Sequence, residues 1–166
     1  KYRYVIWLCF ALASVQNLMM WSVFYPLQSL LKDSYNLSMT EVNFGTSVIQ
    51  NITYIPGTFL GNYFFDVLGI RAGIIFASLL TLGGLLFRVF STYSFYCIFI
   101  GQVFAGIAQP FFFNTAQTVS SVWFGIDERT MVTASLTLVF NLASAVGTIL
   151  PQWFIAPDAT GKDAIQ

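Results

Sequence analysis

Apolar and polar positions along this chain alternate on the scale of whole helices. Five runs of mostly apolar residues, 4–31, 42–65, 71–89, 94–124 and 130–155, are separated by short polar gaps. A helix needs about 20 such residues to cross the hydrocarbon of a bilayer, so each run is predicted to span a membrane. The fourth is longer than a bilayer requires, which predicts tilt, extension beyond the lipid or a bend near Pro110. The gap after the second run, in "GNYFFDVLGIR", is a tight reversal: Gly69 permits the turn, while Asp66 and Arg71 stay at headgroup depth.

Polar residues inside the runs recur with helical spacing. Asn17, Trp21, Tyr25 and Gln28 form one stripe, and Ser47, Asn51, Tyr54, Thr58 and Asn62 a second. Gln102 and Gln109 share a face with Ala105 and Gly106, and Thr137, Asn141, Ser144 and Thr148 share another. A period of 3.6 puts each set on one side of its helix. In lipid such sides turn toward the bundle interior, either as hydrogen-bonding glue between helices or as the wall of a polar cavity. Four stripes together favour the cavity. Ala143–Gly147 and Gly101–Ala105 are small-xxx-small pairs that predict close helix packing.

Composition agrees with a membrane chain: 57% of residues are hydrophobic and 8% charged, with mean hydropathy +0.72. A water-soluble fold of this size would need more polar side chains to cover its core. The first run is too long for a signal peptide and lacks a cleavage site. Net charge is zero with no basic cluster, so nucleic acid is not an expected partner. Cys9 and Cys97 fall inside predicted spans and read as small core residues. There is no histidine, no buried carboxylate pair and no nucleophile–base arrangement, which argues against an enzyme. No cofactor or metal is predicted.

Lys1, Arg3, Arg71 and Arg129 fall on one side and Lys32, Arg88 and Lys162 on the other, which favours an inside N-terminus. Arg88, near a helix end, is expected to snorkel outward. The sequon at Asn36 then lies outside, while the one at Asn51 lies within a span. The absence of an initiating Met, the odd number of spans and the polar tail "APDATGKDAIQ" suggest a piece of a longer protein. With no acid or base in mid-span, a cation crossing here would need aromatic hosts, and Trp21 stands on a polar stripe well inside its span.

The turn at Asp66, Gly69 and Arg71 resembles the loop between helices 2 and 3 of the major facilitator superfamily, although Val67 and Ile70 stand where that pattern has basic residues. The resemblance implies that this loop braces the cytoplasmic gate, through charge pairs and a helix N-terminus. "NLMMW", "GQVFAGIAQPFF", "SSVWFGIDERT" and "NLASAVGTILP", in that order, resemble the feline leukaemia virus subgroup C receptor-related transporters within that superfamily. The fold implied is all-α: an N-terminal half, five of an expected twelve helices, lacking a further helix and the C-terminal half. The resemblance implies a small organic cation such as choline or ethanolamine as substrate, with haem ranked behind it. It places substrate contacts on Trp21 and Gln109, and Tyr25, Asn51, Gln102 and Asn141 complete the expected cavity wall. Pro110 directly after Gln109, and the aromatic run that follows, depart from the family pattern. The expected partners are the lipid bilayer, most naturally the plasma membrane with an organelle as the alternative, and the C-terminal half or neighbouring membrane subunits. A transporter-derived structural subunit without transport activity stays open as the second reading.

Overall fold

Backbone groups have no water to bond inside a bilayer, so a chain this apolar folds into helices that satisfy themselves. The computed structural model describes residues 2–154; Lys1, Ile155, Lys162 and the polar tail lie outside the described residues. Its elements are α1 (Tyr2–Ser22), α2 (Gln28–Tyr35), α3 (Met39–Asn43), a π turn (Phe44–Val48), α4 (Ile49–Val67), α5 (Gly69–Val89), a 3-10 turn (Phe90–Thr92), α6 (Phe95–Trp123) and α7 (Ile126–Phe154). Among the described residues there is no strand. The helices Tyr2–Ser22, Gly69–Val89, Phe95–Trp123 and Ile126–Trp153 are each long and apolar enough to cross a membrane. The outer faces carry side chains that water would penalise, such as Leu12, Phe59, Leu79, Leu138 and Leu142, all exposed.

The structure divides the first predicted span. α1 ends at Ser22, the chain turns through residues 23–27, and α2 starts at Gln28. Pro26 has no N–H for the ladder and disfavours helical geometry at Tyr25, so the 3.6 period cannot be carried through it. The predicted stripe of Asn17, Trp21, Tyr25 and Gln28 is therefore not one helix face. Ser38 opens the next helix with a capping box: its N–H donates to Glu41 Oε2 at 2.8 Å and its Oγ accepts from Thr40. That helix passes through the π turn into α4, so 39–67 is one helical run with a local widening.

α6 is the hub. It packs mainly on α4 and α5, while α1 packs mainly on α7. The α4–α6 approach is backbone to backbone. A Cβ on Gly57 would stand 2.8 Å from the Ile107 carbonyl oxygen, and one on Gly106 would stand 2.8 Å from that of Gln50. Gly147 lets α7 reach α1 in the same way, at Met19 and Ser22. α6 runs helical straight through Pro110, and the aromatic run after it is divided by face: Phe111 and Phe112 are buried, whereas Phe113 is 38% exposed. Phe111 is packed by Phe64, Phe65 and Phe76 under the α4–α5 hairpin, with Phe64 and Phe76 stacked at 4.5 Å. The hairpin turns on Gly69, whose φ of +83° a side chain would resist.

At the end of the bundle holding the α1 N-terminus, Arg3 donates to both carboxylate oxygens of Glu128, at 2.8 and 3.2 Å. This closes α1 onto the start of α7. At the opposite end α2 docks through Tyr35, whose hydroxyl donates to the Ser91 carbonyl. Gly57→Leu and Gly106→Leu would force α4 and α6 apart, an overpacking cost of about 1–3 kcal/mol or more each. Gly83→Leu meets nothing within 4 Å and should stay within about 0.5 kcal/mol of wild type. Thermal unfolding of the detergent-solubilised variants checks this: only the first two should melt lower.

Candidate functional site

Sequence polarity marks many residues here, and their partners separate them. Asn17 Nδ2 donates to Thr81 Oγ1 at 3.1 Å and, more weakly, to the Ala105 carbonyl at 3.5 Å, tying α1 to α5 and α6. It acts as glue between helices. Gln102 is fully buried: Nε2 donates to the Thr46 carbonyl in the π turn at 2.7 Å, and Oε1 accepts from Arg88 at 2.8 Å. Asn51 is exposed and donates back to Ser47 of its own helical run at 3.0 Å.

Trp21 and Asn141 do come together. They line a cavity of about 290 Å³ between α1, α6 and α7. α1 supplies Leu18 and Trp21; α6 supplies Phe113, Ala116 and Gln117; α7 supplies Thr133, Thr137, Phe140, Asn141 and Ser144. No charged side chain is on this wall. Tyr25, in the turn after α1, stands edge-on to Trp21 at 5.2 Å, and Phe113 stands edge-on to Phe140 at 5.2 Å. The Tyr25 hydroxyl can both donate and accept a hydrogen bond.

Two α7 hydroxyls are satisfied before any ligand arrives. Thr137 and Thr148 donate to carbonyls one turn back, at 3.0 and 2.9 Å, which leaves their oxygens as acceptors. Asn141 makes no hydrogen bond among the described residues. A second opening, shared by Gln117, Thr133 and Thr137, continues past Thr130 to Arg129. Arg129 itself caps the end of α6, donating to the Ser121 carbonyl at 2.8 Å. The polar wall thus runs along the α6–α7 seam from Trp21 to the Arg129 end of the bundle.

Gln109 is one turn from Phe113 on α6. Its Oε1 accepts from Gln50 Nε2 at 3.0 Å, while its own Nε2 makes no hydrogen bond among the described residues. Phe113, Gln117 and Thr133 escaped the sequence reading. Gln109, Phe113 and Gln117 repeat every four residues, which is the signal that could have found them.

Asp66 and Arg71 are exposed at the α4–α5 turn and form no ion pair or hydrogen bond among the described residues. Arg71 does border a larger, mainly apolar cavity of about 710 Å³ with Val5, Cys9, Phe10, Ile74 and Trp123. Cys9 is exposed there, not in the core as its position in a span suggested, and Cys97 is half-buried. Among the described residues no three His, Cys, Asp or Glu side chains cluster as metal ligands.

The chain is similar to known transporters along most of its length. The choline/ethanolamine transporter FLVCR1 of Mus musculus is 29% identical over 151 residues, 90% of this chain and 27% of that protein. The choline/ethanolamine transporter flvcr2a of Danio rerio is 28% identical over 151 residues, 90% of this chain and 32% of its own length. Solute carrier family 49 member A3 of Xenopus tropicalis is 26% identical, covering 98% of this chain and 35% of that protein. The chain therefore spans about a quarter to a third of the relatives it matches. Residues 10–158 match the Major Facilitator Superfamily profile. An all-helical bundle of membrane-spanning length, matched along most of its sequence, places this chain in the Major Facilitator Superfamily, as part of one half of that fold.

Proposed function

We propose that the intact protein carries a choline- or ethanolamine-like cation across a membrane, the plasma membrane in the first instance, by alternating access. Two halves would rock about a site at mid-membrane, and these helices would form the wall of the first half. The observation that carries this reading is the uncharged, aromatic and amide-lined cavity between α1, α6 and α7.

Such a wall suits a cation that brings its charge but few hydrogen bonds. The Trp21 face attracts a quaternary ammonium through its quadrupole, worth about 0.5–2 kcal/mol. Tyr25 beside it and Phe113 opposite extend the apolar cage. The Gln109 amide nitrogen is free to donate to a substrate hydroxyl, because Gln50 occupies its oxygen. Asn141 offers a further donor and acceptor. Gln102 and Asn51 would support the bundle around this cage, since their amides bond to protein groups. The second half of the fold would supply the remaining walls. With no acidic or basic side chain among the described residues of the cavity wall, uniport down an existing gradient is the mechanism proposed.

Asp66 and Arg71 would brace the gate at the cytoplasmic face. Their lack of partners here leaves them free to pair with the other half once the gate closes.

Radiolabelled choline uptake into proteoliposomes tests the cage. Trp21→Ala should raise KM about 2- to 30-fold, and Trp21→Phe should raise it less. Unchanged uptake in Trp21→Ala would remove Trp21 from the site. Asp66→Asn should lower Vmax while choline binding by the purified protein holds; an unchanged Vmax would leave the turn a plain hairpin. The N-inside orientation predicts glycan attachment at the exposed Asn36, which is itself the αL cap of α2. A mobility shift on enzymatic deglycosylation that is lost in Asn36→Gln would support it. A shift lost in Asn51→Gln instead would overturn it.

A further inference from the structure

Arg88 departs from its expected behaviour. It lies in the last turn of α5, and its side chain folds inward instead of snorkelling out. Nη1 donates to the Met20 carbonyl of α1, and Nη2 donates to Gln102 Oε1 at 2.8 Å. The guanidinium lies 4.6 Å from the centroid of the Phe24 ring. Gly101 leaves the room, since a Cβ there would stand 2.9 Å from Arg88 Cγ. No acid pairs with Arg88 among the described residues, so this is not a salt bridge turned inward.

The contact falls where α1 needs it. A helix end leaves its last carbonyls without partners. Here Val23 N–H bonds to Met19 and Tyr25 N–H to Ser22, and no backbone N–H takes the Met20 carbonyl. Arg88 supplies the missing donor. The next residue is Trp21, and the Phe24 ring under the guanidinium belongs to the turn that carries Tyr25. Behind Arg88, Gln102 is held by the π-turn carbonyl of Thr46, while Thr46 Oγ1 and Ser47 Oγ accept from Gln28 at 3.3 and 3.1 Å. The π turn, α2, α5 and α6 thus converge on the end of α1.

We infer that Arg88 is a positioning residue for the Trp21–Tyr25 pair, acting through the Met20 carbonyl and the Phe24 ring. This rests on the proposed cation site, but the pinning of α1 stands independently of any substrate. Lysine cannot reproduce it fully, because a guanidinium presents its donors in a rigid planar fork and an ammonium is a point charge.

The test uses the full-length protein, wild type, Arg88→Gln, Arg88→Lys and Trp21→Ala, with radiolabelled choline uptake and amide hydrogen exchange. Arg88→Gln should raise the KM for choline about tenfold with Vmax within about twofold, as expected for loss of a charge-assisted contact that sets geometry. The hydrogen-bonded amides of Val23, Tyr25 and Leu27 should exchange about tenfold faster, with the α7 core unchanged. Arg88→Lys should fall between wild type and Arg88→Gln in both readouts, and it carries the test if the glutamine variant does not fold. Exchange unchanged in residues 23–27, or a lowered Vmax at wild-type KM, overturns the inference. If exchange responds but wild type takes up no choline, the pinning stands and the choline reading falls.

Discussion

A backbone carbonyl left without a partner in lipid costs several kcal/mol. Much of the architecture follows from where the helices stop being regular. α1 loses its ladder before Pro26, and the run that becomes α4 widens into a π turn at Phe44–Val48. Both irregularities sit at the same end of the bundle, and both are served by side chains from neighbouring helices. Gln102 takes the Thr46 carbonyl and Arg88 takes that of Met20. The polar groups of α5 and α6 at this end are thereby committed to backbone repair, which leaves the α6–α7 seam to carry the open polar wall.

The same constraint explains why α6 is central. Its small residues fall on the faces that meet α4 and α5, so Gly101 and Gly106 let a guanidinium and a backbone approach where a side chain would block them. Its next faces hold Phe111, which fills the volume under the α4–α5 hairpin, and Phe112, which meets Phe10 of α1. The remaining face, with Phe113 and Gln117, turns toward α1 and α7, while Gln109 one turn earlier reaches Gln50 of α4. Aromatic bulk that looked like a departure from the family pattern is thus split between core and cavity wall.

The helical class and the membrane setting were legible in the sequence because both rest on long apolar runs and helical period, which are local. Partnership is not local. A polar stripe in lipid faces inward whether it is glue or cavity, so Asn17 and Trp21, one turn apart, looked alike. Only the position of Thr81, 64 residues away along the chain, shows that Asn17 is spent on a helix contact. Tyr25 was placed beside Trp21 by a helical period that Pro26 interrupts, yet the two rings do meet, through a turn. Asn141 was reachable from its spacing with Thr137 and Ser144. Phe113 was hidden in a run of three phenylalanines, where apolar neighbours erase the period.

What remains is how a chain with so few charges would handle the charged ligand proposed for it. Fixed anions at the site would bind a cation strongly in a low-dielectric interior and then hold it. An aromatic face with amide groups attracts it by a smaller amount, closer to what a carrier needs if it is to release its load on the far side. The charges are instead at the ends: Arg3 with Glu128, Arg129 over the end of α6, Asp66 and Arg71 at the hairpin, and Arg88 at the opposite end. Placed there, Arg3, Arg88 and Arg129 fix helix ends and keep charge off the α6–α7 wall. The separation is not complete at Trp21, which lies in the last turn of α1 directly after the Met20 carbonyl that Arg88 holds, so on the proposed reading the aromatic host and a fixed charge share one helix end.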